Sequence, residues 1–177
     1  YEPRHDSVEK TYRYLFHVGA TRDPLSRARA WHLGKLVSHD LPDATRLDGA
    51  RARLDLEAMR SAARVLEGTH DFHAFRSSGD TRANTVRTLR RVEVEEGHAA
   101  NPDLLALRVS GDAFLGNMVR IIAGTLLDVA RGRLRQADVT EMLTPHGERG
   151  RGGVTAPPEG LTLVEVKLGR SRVLASR

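Results

Sequence analysis

The chain contains no cysteine, which excludes a disulfide framework and any thiolate-bound metal. It carries no G-x-G-x-x-G, no G-x-x-x-x-G-K-[ST] and no G-x-S-x-G, so a dinucleotide fold, a phosphate loop and a hydrolase elbow all lack their motif. The Gly-rich run RGRGGV precedes a proline pair and a strand pattern rather than a helix, which makes it a poor phosphate cradle. Aromatic residues are only 5% of the chain. No apolar run is long enough for a membrane span, because the most apolar stretch, DAFLGNMVRIIAGTLLDVARGR, is broken by Arg120 and Asp128. No basic-then-apolar segment opens the chain, so no secretory signal is read, and the cytoplasm is the expected location.

What is present suits one domain, or the large half of a two-domain protein: 177 residues, 40% hydrophobic. The net charge is +5, carried almost entirely by arginine. A moderately basic surface fits a polyanion such as nucleic acid, although charge alone is weak support for one. The first residue is Tyr1 rather than Met, and the expectation is a processed chain or part of a longer one.

Periodicity gives the coarse fold. EKTYRYLFHV alternates strictly, with Tyr12, Tyr14, Phe16 and Val18 on one side, and predicts a strand. GATRDPLSRARAWHLG reads as loop and turn anchored by Trp31. DLEAMRSAARVLEG predicts a helix with Asp55 as N-cap, a stripe of Leu56, Met59, Ala63 and Leu66, and Gly68 as its stop. THDFHAFRSSGDTRAN follows as a polar loop. TVRTLRRVEVEE and DLLALRVSG predict two adjacent strands, and the stretch around Arg120 a helix capped by Asp112. QADVTEMLT predicts a short helix, PHGERGRGGVTAPPEG a long loop, and LTLVEVKL a last strand. The order β-α-β-β-α-α-β predicts an α+β fold, a mainly antiparallel mixed sheet with helices packed on one face.

Arg120 is the anomaly. On a 3.6-residue wheel Met118, Ile121, Ile122, Thr125 and Val129 form the apolar face, with Phe114 extending it. Arg120 lies opposite, in a lane formed by Gly116, Asn117 and Gly124. A solvated arginine is the plain reading. The sharper one is a charge aimed into a pocket, with the small residues letting a ligand approach. Asp112 and Asp128, eight residues away on either side, are unsuitable partners, so a buried Arg120 needs a carboxylate from elsewhere.

Other constellations carry less. His70 and His73 lack a third ligand at matching spacing, and hydrogen bonding suits them better than a metal. Arg76, Arg82, Arg87, Arg90 and Arg91 fall within sixteen residues holding a single acid, Asp80. They form either a phosphate grip or a solvated face. Tyr12 by itself is a half-buried strand aromatic.

Five blocks, KTYRY, HDFHAFR, TVRTL, DAFLGNMVRIIAGTLLDV and TAPPEGLTLVEV, together resemble in order and spacing the larger C-terminal part of the tRNA pseudouridine synthase A family, from Tyr1 to about Leu168. The resemblance implies a pseudouridine synthase-like fold and isomerisation of uridine to pseudouridine at positions 38 to 40 of the tRNA anticodon stem-loop. It implies no cofactor and no metal, a homodimer with one tRNA lying across both subunits, and an aspartate nucleophile. It places Tyr12 on the target base and Arg120 beside the nucleophile as catalytic residues. Arg4, Arg76, Arg82 and Asn117 become RNA-binding residues.

One departure is large. The family's nucleophile lies in an R-T-D-x-G-V-H motif of an N-terminal domain, and this chain has no such motif. Asp6, Asp71, Asp80 and Asp112 each stand in the wrong context to replace it. The expectation is that residues 1–177 are a C-terminal domain, inactive alone; the alternative is a non-catalytic RNA-binding protein derived from that family. Gly116, where relatives tend to carry a larger residue, and Thr162, where an aromatic is common, are smaller departures.

Overall fold

A computed structural model of the chain describes residues 7–21, 23–34 and 53–169; Arg4 and Asp6 lie outside them. The first strand, β1 (Ser7–His17), organises the sheet. Its alternation sends Tyr14 and Phe16, both fully buried, into the main core. The opposite face is covered too, because Leu15 joins Ala30, Leu104 and Ala106 in a second, smaller cluster. A strand covered on both faces belongs in the middle of a sheet.

β1 pairs antiparallel with β5 (Leu104–Gly111) from Lys10 to His17. Its other edge takes two partners. β2 (Trp31–His32) runs parallel beside Phe16 and His17, and β6 (Leu161–Leu168) runs antiparallel beside Ser7 to Tyr14. β5 continues to β4 (Val86–Glu96), and β4 to β3 (Gly68–Asp71). The order β2-β1-β5-β4-β3 thus makes a mixed, mainly antiparallel sheet. β6 leaves Leu163, Val164, Val166 and Leu168 exposed.

Among the described residues three helices complete the α+β fold: α1 (Leu56–Arg64), α2 (Met118–Ala130) and α3 (Gln136–Met142). Leu56, Met59 and Ala63 of α1 and Ile121, Ile122 and Leu126 of α2 pack on the sheet face bearing Tyr14, Phe16, Leu107 and Val109. Burying each large side chain contributes roughly 1.5–3 kcal/mol. Asp55 caps α1 as the sequence predicts, its Oδ1 accepting from Ala58 N at 2.8 Å. Its own amide donates to Ala130 O at 2.8 Å, tying the start of α1 to the end of α2. Among the described residues no helix is long and apolar enough to cross a membrane.

Four expectations need correction. The anchor Trp31 lies in β2 rather than in a loop. The helix α1 ends at Arg64, and Gly68, at φ +104°, opens β3 instead of stopping the helix. The supposed polar loop after it contains β3 and two of the largest fully buried side chains, Phe72 and Phe75. Its polar sequence hides a short strand because β3, among the described residues, pairs with β4 alone and is exposed at Gly68 and Thr69. Finally, α2 starts at Met118, not after Asp112. Asn117 takes the left-handed conformation (φ 58°, ψ 10°) and its carbonyl accepts the Ile121 amide at 2.9 Å. Asp112 instead caps the sheet, accepting from Thr88 N at 3.2 Å and Ala113 N at 2.6 Å.

Candidate functional site

The six residues from Asp112 to Asn117 turn the chain from β5 into α2, and most of the residues nominated from the sequence meet on them. The Phe114 ring stands edge-on to Tyr12, centroids 5.0 Å apart and planes at 80°. The Phe114 carbonyl accepts from Arg82 Nη1 at 2.8 Å. The Gly116 amide donates to Asp80 Oδ2 at 2.6 Å, and the Gly116 carbonyl accepts from Ser77 N at 2.9 Å. The Asn117 side chain accepts from Arg120 Nη1 at 2.9 Å. One backbone turn therefore holds an aromatic pair and two guanidinium groups.

The loop after Phe75 docks on this turn through Asp80. Its Oδ1 accepts from Arg82 N at 3.1 Å and Arg82 Nε at 3.0 Å, while Arg76 Nη1 donates to Arg82 O at 2.9 Å. The Asp80 side chain is only 4% exposed and that of Arg82 is 52% exposed. The Gly116 amide, then the Arg82 amide and charge, hold the Asp80 carboxyl below the usual carboxylate range despite desolvation.

Arg120 is half-buried, and both its acceptors are neutral. Nε donates to Ala156 O at 2.6 Å, Nη1 to Asn117. The Ala156 amide donates back to Arg120 O at 3.1 Å. Tyr14 Oη fastens the same loop by donating to Pro157 O at 2.7 Å. Burial, then the negative charge of Glu159, push the Tyr14 hydroxyl far above the usual tyrosine range, against a smaller opposing pull from Arg120. Arg120 has donors to spare, since a guanidinium carries five N–H bonds; for Nη2 there is no acceptor among the described residues.

The glycines beside Arg120 do not open a path for a ligand. A Cβ on Gly124 would lie 1.8 Å from Val154 O, and one on Gly116 2.9 Å from Ser77 Oγ. The space is filled by the chain's own loops. Gly124 lets the 153–156 backbone cross α2 closely enough for Ala156 to reach Arg120, with Gly153 N bonded to Thr125 Oγ1 at 3.0 Å.

The arginine cluster divides. Arg76 and Arg82 belong to the site. Arg90 Nε is 3.4 Å from Glu9 Oε2 on β1, while within β4 Arg91 pairs with Glu93 and Arg87 Nη1 donates to Val86 O at 2.5 Å. The histidines hydrogen-bond to the main chain, His70 Nε2 with Glu67 O at 2.8 Å and His73 Nε2 with Gly147 O at 2.7 Å. Among the described residues no group of three or more histidines and acids is arranged to hold a metal. Phe114, Tyr14 and Ala156 were not singled out from the sequence. Asp80 was, but only as a nucleophile to reject; its signal was the local D-x-R spacing that closes an Asx-turn.

A family model described as tRNA pseudouridine synthase matches residues 62–167. The chain belongs to the tRNA pseudouridine synthase family. Arg76, Arg82, Asn117 and Arg120 lie inside the matched span, and Tyr12 precedes it. The chain is similar to tRNA pseudouridine synthase A of Geotalea uraniireducens, 40% identical over 166 residues, which is 94% of the chain and 59% of that relative. The enzyme of the same name from Acetivibrio thermocellus is 39% identical, with 94% and 59% covered. That from Myxococcus xanthus is 40% identical, with 94% and 55% covered. The chain therefore spans less than two thirds of the length of these pseudouridine synthases.

Proposed function

We propose that this chain is the C-terminal domain of a tRNA pseudouridine synthase that isomerises uridine in the anticodon stem-loop. The aspartate nucleophile comes from a domain outside the 177 residues, and the active protein is a cytoplasmic homodimer working without a cofactor. The observation that carries the reading is Arg120: a half-buried guanidinium, fixed by two neutral acceptors, with donors left over. Such a group suits an incoming carboxylate, which it keeps ionised and therefore nucleophilic.

Tyr12 supplies the second element. A stacked base must be flipped out before its glycosidic bond can be attacked, at a cost of a few kcal/mol. Stacking on an aromatic ring returns about 1–3 kcal/mol, and Phe114 presets the Tyr12 ring for that contact. Arg76, Arg82 and Asn117 around the same turn contact RNA in this reading, as does Arg4, which lies outside the described residues.

The test is pseudouridine formation on a tRNA transcript, mapped by carbodiimide modification. The chain joined to a domain carrying D-x-G-V-H is expected to modify anticodon-stem uridines, and the chain alone to modify none. Arg120→Lys in the joined protein keeps the charge but loses the fork, and is expected to lower kcat while leaving tRNA binding nearly intact. Pseudouridine made by the isolated chain would overturn the placement of the nucleophile. A joined protein that binds tRNA without modifying it would favour a binding module.

A further inference from the structure

Asp80 is an acid on a surface read as gripping RNA, where a negative charge should be unwelcome. Its side chain is nearly all buried and accepts three hydrogen bonds, from Gly116 N, Arg82 N and Arg82 Nε. A carboxylate buried this way persists only when fully bonded, and these bonds have a mechanical result. With Nε on Asp80 and Nη1 on the Phe114 carbonyl, the planar Arg82 guanidinium is held at two of its three nitrogens. Arg76 holds the Arg82 carbonyl from the other side.

We propose that Asp80 is a positioning residue: it fixes the Arg82 guanidinium beside the Tyr12–Phe114 pair, so that its remaining donors are preset for an RNA phosphate. This deepens the reading of the face as an RNA surface and rests on it. A free surface arginine loses rotamer entropy when it binds, and one ordered in advance does not. The positioning role and simple electrostatics predict opposite signs. If Asp80 acted only through its charge, removing it would strengthen binding to a polyanion. If it positions Arg82, removing it weakens binding.

The experiment measures affinity of the full chain for an anticodon stem-loop RNA hairpin over a range of salt concentrations, for wild type, Asp80→Asn, Arg82→Ala and the double variant. Arg82→Ala is expected to weaken binding about tenfold and to reduce the salt slope by about one. Asp80→Asn is expected to weaken binding about fivefold, because an amide cannot accept from both Gly116 and Arg82. In the Arg82→Ala background Asp80→Asn is expected to add nothing, the signature of action through Arg82.

Tighter or unchanged binding by Asp80→Asn, or full additivity in the double variant, would overturn the proposal. Wild-type binding by Arg82→Ala would instead show that Arg82 meets no phosphate, and would overturn the underlying reading at this residue. Should Asp80→Asn fail to fold, Arg82→Lys decides. It keeps the charge but cannot span Asp80 and Phe114, so it is expected to bind like Arg82→Ala; wild-type affinity would exclude positioning.

Discussion

Arg120 and Ala156 are bonded to each other twice: the guanidinium Nε donates to the Ala156 carbonyl at 2.6 Å, and the Ala156 amide donates to the Arg120 carbonyl at 3.1 Å. The first bond aims the side chain and the second fixes the loop it is aimed from. Arg120→Ala removes the first bond and the one to Asn117, leaving two acceptors unmet. A loss of about 1–3 kcal/mol is expected in urea unfolding. Arg120→Lys is expected to recover less than half of it, since an ammonium cannot reach both acceptors in one plane.

Gly124→Ala tests the crossing of the loop over α2. Helix propensity alone favours alanine by about 1 kcal/mol. The added Cβ meets Val154 O, so the backbone must move. The net effect is expected to be destabilising by about 1–3 kcal/mol, read by thermal or chemical unfolding. A stabilised variant would mean the loop is not held against the helix.

Tyr14→Phe removes the bond to Pro157 O and is expected to cost about 1 kcal/mol at neutral pH. The Tyr14 hydroxyl is raised above its ordinary value when folded. Its contribution is therefore complete below about pH 10, the unfolded value, and is lost as pH rises further. Wild-type stability should fall above pH 10 more steeply than that of Tyr14→Phe, with unfolding followed by circular dichroism.

Asp80 has the opposite sign. Its folded value lies below the unfolded one, so its contribution is present above the ordinary carboxylate range and is lost as pH falls through the folded value. Wild type should outlast Asp80→Asn in urea at pH 6, and the gap should start to close below about pH 4 and vanish only once the pH has fallen through the lower, folded value. Unchanged midpoints at pH 6 would show that the carboxylate contributes nothing to the fold.

The sequence showed the scaffold more clearly than the site. β1, β4, β5 and β6 were legible because strict alternation or apolar runs mark strands, and α1 because Asp55 caps it. β3 was missed because its residues are polar and exposed, and β2 because two residues carry no period. The start of α2 was misplaced since Phe114 continues the apolar stripe by coincidence of spacing while packing on Tyr12 from a turn. Around Arg120 the sequence suggested a carboxylate partner and an open lane. The lane is filled by the chain's own loops, because what fills space beside a glycine depends on the tertiary path. The sequence did not show the acceptor found within the chain, a main-chain carbonyl, which no side-chain pattern encodes.

The double tie between Arg120 and Ala156 also bears on when the cation becomes competent. Residues 36 positions apart must meet before it is oriented, so an isolated α2 helix would present a freely rotating side chain. Closing that span costs chain entropy that local helix formation does not. In a refolding experiment, α2 helicity should develop before the protection of the Ala156 amide, and orientation of the arginine should follow the later event.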